Sequence, residues 1–143
     1  MLKGIDISVW QGTIDWAKVK SQVDFVIIRA GYGKYASQKD ARFEEYYAAC
    51  ERHNIPKGVY WFSYAVDYDE AVQEANAFLE VIKGKKFEYP VWFDYEAPAG
   101  YDIQKDPTVA RNVIDGFTKT VYGLYRVNLR GEYNVPIARS EER

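Results

Sequence analysis

Apolar positions along this chain switch period in a regular order. A short run, "GIDIS", precedes "TIDWAKVKSQ", in which Ile14, Ala17 and Val19 recur at the spacing of a short helix. "DFVIIRAGYG" is near-continuous in β-branched residues and closes on glycines, the pattern of a strand buried on both faces. From Ala41 to Asn54 the period is helical, with Phe43, Tyr46, Tyr47 and Cys50 at core-facing positions. "PKGVYWFSYA" predicts a third strand. "YDEAVQEANAFLEVIKG" is the clearest helix: Ala71, Ala75, Phe78, Leu79 and Ile82 share a face and Gly84 stops it. "YPVWFDYEA" predicts a fourth strand, and a helix beginning near Pro107 carries Val109, Val113, Ile114 and Phe117. The β-α order repeats about every 25 to 30 residues, as expected of βαβ units around a parallel sheet.

Four such units begin either a doubly wound sheet or half of a (β/α)₈ barrel. Complete barrels run to about 250 residues, with about 200 as the lower end, and this chain has 143. After about Tyr122 the pattern turns irregular: "GLYRVNLRGEYNVPIARSEER" offers at most one short strand. The expected organisation is a β/α unit over residues 1–122 followed by an irregular tail over 123–143.

Composition narrows the function classes. A hydrophobic share of 48% with 17% aromatics is that of a folded domain. A net charge of −2 leaves no basic surplus for neutralising phosphates, so nucleic acid is not an expected partner. Cys50 and His53 are the only cysteine and histidine, which rules out an intramolecular disulfide and metal sites built on several Cys or His ligands. No metal or other cofactor is expected. His53 sits in the helical "FEEYYAACERHNI", where a solvated histidine near a helix C-terminus is favoured over a triad member; Cys50 reads as a small buried hydrophobe. The N-terminus lacks a signal peptide's basic and apolar regions. No run of about 18 apolar residues predicts membrane insertion.

Candidate chemistry concentrates in "YPVWFDYEAP". A strand-like apolar run ends on Asp94 and Glu96, and residues two apart on a strand point to the same side. In parallel β-α architectures reactive groups gather at the C-terminal ends of strands. Two carboxyls in a partly apolar pocket cannot both ionise cheaply, so one keeps a proton near neutrality, as cleavage of a glycosidic bond requires. Asp6, ending the first strand, can enter the same mouth. The alternative is a pair of solvated loop acids, or a pair neutralised by Arg29 or a lysine. Aromatics weigh against it: Trp10, Tyr32, Tyr60, Phe62, Tyr64, Trp92 and Tyr95 fall on or just after strand ends, where rings can pack against the C–H faces of sugars. Arg29 is equally readable as a structural partner of Asp6 or Asp94 and as a substrate contact.

The segments "KGIDISVWQGTIDWAKVK", "DFVIIRAGYG", "PKGVYWFSYA" and "EANAFLEVIKGKKFEYPVWFDYE", in that order, resemble the glycoside hydrolase family 25 muramidases, the lysozymes of bacteria, fungi and phages. The resemblance covers about Leu2 to Phe117. It implies an α/β fold, the N-terminal part of an irregular TIM-barrel-like (β/α) barrel with about four to five parallel strands. It also implies hydrolysis of the β-1,4 bond between N-acetylmuramic acid and N-acetylglucosamine in peptidoglycan. Glu96 would be the acid/base, Asp94 the partner that assists attack or stabilises the intermediate, and Asp6 a further cleft acid. Trp10, Arg29, Tyr32, Tyr60, Phe62, Tyr64 and Tyr95 would bind substrate, and the substrate's acetamido group is the suggested nucleophile. The tail does not match the family, whose members add further strands and another aspartate, so the chain reads as truncated. Self-association through an incomplete barrel is therefore expected. The expected site of action is the cell wall, for a phage or prophage lysin made in the host cytoplasm or a mature secreted domain. The competing reading is a non-catalytic glycan-binding module or an inactive fragment of a longer lysin.

Overall fold

A computed structural model describes residues 1–127 of the chain. Its element order is β1 (Gly4–Ile7), α1 (Trp16–Gln22), β2 (Phe25–Tyr32), α2 (Phe43–Arg52), β3 (Lys57–Phe62), α3 (Tyr68–Ile82), β4 (Val91–Asp94) and α4 (Pro107–Val127). The strands form one parallel sheet in the order β1-β2-β3-β4. The predicted β/α alternation is thus realised with four strands, each neighbour reached by a helical crossover.

Helix starts follow local chemistry. Asp15 and Asp67 cap α1 and α3, accepting from the Lys18 and Glu70 amides at 3.1 and 2.8 Å. Asp106 does the same for Thr108 and Val109 ahead of α4, whose first residue, Pro107, has no amide hydrogen to satisfy. The Asp15 cap moves the start of α1 past Ile14, which packs on the core from outside the helix. On α4 the buried apolar side chains among the described residues are Val113, Phe117 and Val121, four residues apart, while Ile114 is 41% exposed; its apolar character does not place it on the core face. α4 continues to Val127, beyond the point where the apolar pattern fades, and the rest of the expected tail lies outside the described residues.

The core fills the space between one face of the sheet and the helices. Val26, Ile28, Val59 and Trp61 meet Phe43, Tyr46 and Cys50 of α2, Phe78 and Ile82 of α3 and Phe117 of α4. Phe93 stacks on Phe117 at 3.9 Å between centroids. Such side chains each contribute roughly 1.5–3 kcal/mol by leaving water. At the N-terminal end of the sheet Lys57 is 1% exposed, matched by Glu51 and Glu88 and by the Tyr47 ring. The opposite face of the sheet carries polar chemistry.

Candidate active site

Pairing register determines which side chains share that second face. Arg29 lies opposite Tyr60, Tyr60 opposite Trp92, and Phe62 opposite Asp94; partners in a parallel ladder point the same way. Simple alternation along β2 would send Tyr32 to the helix side. A bulge between Arg29 and Gly31 inserts one residue, so that Gly31 aligns with Trp61 and Tyr32 with Phe62. Arg29 and Tyr32 therefore both face the site, the guanidinium carbon 5.5 Å from the ring centroid. Gly31 makes this possible. A Cβ there would lie 2.6 Å from the Trp61 ring and 2.6 Å from the Gln38 carbonyl oxygen.

Asp94 ends β4 and Glu96 follows two residues on. Burial pushes the Asp94 carboxyl up to about 7, helped by a side-chain hydrogen bond with Glu96 and by the charges of Glu96 and Asp6; Arg29 pulls the other way. Glu96 is exposed and Asp94 half-buried, so the pair has an inner and an outer member. Among the described residues neither makes an ion pair with a lysine or arginine. Tyr60 joins them: burial, with the charges of Asp6 and Asp94 adding to it, raises its phenol to about 12, so it remains a neutral hydrogen-bond donor. Asp6, Arg29, Tyr60, Asp94 and Glu96 thus form one electrostatic cluster.

Arg29 does not pair with Asp6 or Asp94. Its Nε donates to Asp40 Oδ2 at 2.8 Å, and the Asp40 side chain is fully buried. Asp40 also accepts from the Val9 amide at 3.0 Å and the Arg42 amide at 2.9 Å, which ties the loop after β1 to the loop before α2. Nothing in the sequence marks Asp40 as this partner, because eleven residues and a bulge separate it from Arg29.

The aromatic candidates divide. Tyr32, Phe62 and Tyr64 cluster, with Tyr64 centroids 6.1 Å from Tyr32 and 5.1 Å from Phe62; Tyr101, which the sequence reading passed over, adds a ring 5.0 Å from Tyr64. Trp10 stands 82% exposed on the 3₁₀ turn Val9–Gln11. Tyr95 is placed differently from the other rim candidates. Alternation after Asp94 turns it toward the helices, where its ring packs near Phe93 and its hydroxyl donates to the Gln104 carbonyl at 2.6 Å.

Behind the cluster lies a buried polar network. The Glu74 carboxylate accepts from the Tyr64 amide at 2.8 Å, and burial raises Glu74 to about 7. The Gln104 side chain, 1% exposed, donates to the Ala65 carbonyl at 2.8 Å and accepts from the Ala97 amide at 3.1 Å. Among the described residues no group of three or more His, Cys, Asp or Glu side chains is placed to hold a metal ion. None of their helices is long and apolar enough to cross a membrane.

Comparison with known proteins places this geometry. The Streptomyces globisporus protein "Lysozyme M1" is 40% identical over 63 residues, 43% of this chain and 21% of that protein. The "Autolytic lysozyme" of Clostridium acetobutylicum is 29% identical over 115 residues, 80% of this chain and 34% of that one. The modular autolysin LytC of Streptococcus pneumoniae, solved with a synthetic peptidoglycan ligand, superposes with a TM-score of 0.75 at 29% identity, covering 95% of this chain and 32% of that chain. The chain spans between 21% and 34% of the length of these relatives. The sequence profile of Glycosyl hydrolases family 25 matches residues 5–128, and the chain belongs to that family.

Proposed function

We propose that this chain carries the catalytic pair of a peptidoglycan muramidase, which hydrolyses the β-1,4 bond between N-acetylmuramic acid and N-acetylglucosamine. The observation that carries the reading is the Asp94–Glu96 pair, which makes no ion pair with a lysine or arginine among the described residues and in which burial and the neighbouring carboxylates hold a proton on one member to about 7. It sits at the C-terminal end of a parallel strand beside a cluster of tyrosines. Relatives named lysozymes and an autolysin solved with a peptidoglycan ligand support the substrate class.

The chemistry follows from the inner and outer members. Near neutrality the pair shares one proton. Passing it along the hydrogen bond from Asp94 to Glu96 moves it to the exposed group, from which it protonates the leaving glycosidic oxygen. Asp94, now ionised, stabilises the positive charge developing on the sugar. Asp94 and Glu96 come from the same strand end and act on each other as one pair, rather than as two carboxyls supplied by separate elements. That favours the substrate's own acetamido oxygen as nucleophile, with Asp94 orienting it. Tyr60 supplies a neutral donor in the same cluster, and the Tyr32–Phe62–Tyr64–Tyr101 rings supply a wall for sugar faces.

Residues 1–122 would form the catalytic portion, with α4 continuing unbroken past that boundary to Val127. Action on the cell wall accords with the autolysins and lysins among the relatives. β1 and β4 are the sheet's outer strands among the described residues, and self-association would cover them. The deciding experiment incubates the chain and Glu96→Gln with purified peptidoglycan, reduces the products with borohydride and identifies the new ends by mass spectrometry. Reduced muramic acid ends from the parent alone are expected. Glycan retained by both proteins with no new ends would instead make the chain a binding module.

A further inference from the structure

Glu96 is bracketed by one residue. On its N-terminal side, the Tyr95 hydroxyl donates to the Gln104 backbone carbonyl at 2.6 Å; on its C-terminal side, the Ala97 amide donates to Gln104 Oε1 at 3.1 Å. Ala97 has φ +51°, a left-handed conformation that costs a non-glycine residue about 1–2 kcal/mol and persists only where its surroundings hold it. Gln104 is itself immobilised. It is 1% exposed, and its Nε2 donates to the Ala65 carbonyl at 2.8 Å and the Ser63 carbonyl at 3.5 Å, so each side-chain polar atom is engaged. The 63–65 segment is fixed in turn: Glu74 accepts from the Tyr64 amide and Ser63 Oγ from the Ala65 amide at 3.1 Å. The same segment carries Tyr64, whose ring joins the aromatic cluster.

From this geometry we infer that Gln104 is a positioning residue: its amide locks the left-handed turn at Ala97 and so holds the Glu96 carboxyl against Asp94, while anchoring that turn to the loop that presents Tyr64. Gln104 touches neither reacting group and acts through Ala97 and Tyr95. The catalytic consequence rests on the muramidase reading, and the structural one on the hydrogen bonds around Gln104. A residue holding only the fold together would affect stability. A residue that sets the Glu96–Asp94 approach also sets where the pair titrates.

The test uses Gln104→Met, which preserves length and apolar volume but removes both side-chain functions, in the full chain. Carbon-detected NMR follows the Asp94 carboxyl through pH 4–9, and initial rates on purified peptidoglycan give kcat and KM. Loss of the Glu96 hydrogen bond is expected to move the Asp94 transition down from about 7 by at least half a pH unit. The expected kcat falls about 10- to 100-fold, with KM changed less than twofold, as for a reacting group displaced by about an ångström. Should Gln104→Met fail to fold, Tyr95→Phe, which deletes one of the two brackets and leaves the Gln104 side chain in place, takes over with the same Asp94 criterion at a smaller shift. A folded variant whose Asp94 transition coincides with the parent's overturns the inference, as does a kcat within twofold of an active parent. A parent that releases no muramic acid ends counts against the muramidase reading, and the titration then decides the role of Gln104 by itself.

Discussion

Two carboxylic acids among the described residues are pushed to about 7, and they differ in everything that decides whether a proton is usable. Glu74 is fully buried on α3; burial raises it, and one of its oxygens has no hydrogen-bond partner. Asp94 is half-buried at the end of β4, and burial is joined there by a hydrogen bond to Glu96 and by the charges of Glu96 and Asp6. The Glu74 proton is locked inside the loop support behind the site. The Asp94 proton has an exit, because its hydrogen-bond partner is exposed. A raised carboxyl does not by itself mark chemistry; a second carboxyl linking it to the outside does.

The sharpest way to separate the two acids is to remove that link. Glu96→Gln is expected to lower hydrolysis by about 10²- to 10⁴-fold, measured as reducing ends released from peptidoglycan. In the same variant Asp94 should titrate well below about 7, while Glu74 stays where it is. Equal shifts in both would mean that the variant had loosened the whole fold. The next largest effect is on stability. Arg29→Met leaves the fully buried Asp40 carboxylate without its cation, and the loss of about 3–5 kcal/mol expected for breaking a buried pair should appear in urea midpoints. Removing the Arg29 charge should also raise Asp94 further.

Glu74 makes its own prediction, through pH. Its folded value lies above its ordinary 4.5, so the folded state keeps a proton that the unfolded chain releases. The contribution is fully present below about 4.5 and is lost as pH rises toward about 7, by on the order of 3 kcal/mol. Glu74→Gln should remove that decline, seen by comparing urea midpoints at pH 4.5, 6 and 8. The slope that remains belongs to Asp94, and Glu74→Gln combined with Asp94→Asn should flatten it. A parent-like slope in the double variant would assign the dependence elsewhere.

Much of this architecture is visible in the sequence because burial and period are coupled: "FVII", "VYWF" and the α3 face carry their environment in their spacing. Asp94 and Glu96 stand out for the opposite reason, as acids where a buried strand should end apolar. What escapes the sequence depends on register and on distance along the chain. "IIRAGY" does not announce the bulge that turns Tyr32 toward the site. Tyr95 reads as one more rim aromatic until its hydroxyl is found on Gln104. Asp40, Gln104 and Tyr101 look like ordinary loop residues, and only the fold brings them to Arg29, Ala97 and Tyr64. Ile114 shows the reverse error: one helical step from Val113 is about 100°, enough to carry an apolar side chain out of the core.

The smallest effect tests how far the site extends. Asp6 stands exposed on β1 and raises Asp94 only through its charge, behind burial and both contributions from Glu96. Asp6→Asn is therefore expected to lower the Asp94 transition by less than Glu96→Gln does, with the fold unchanged. An interaction between groups that solvent reaches is screened by salt, whose Debye length falls to about 3 Å at 1 M. The Asp6 effect should fade in high salt, while the Glu96 effect, which includes a direct hydrogen bond, should persist. NMR titrations of the two variants at low and high ionic strength read both expectations. A shift in Asp6→Asn that matches the Glu96→Gln shift and resists salt would make the proton-sharing unit three carboxyls drawn from two strands. The contrast with Glu74 would then lie in a cluster spanning the sheet rather than in one pair at the end of β4.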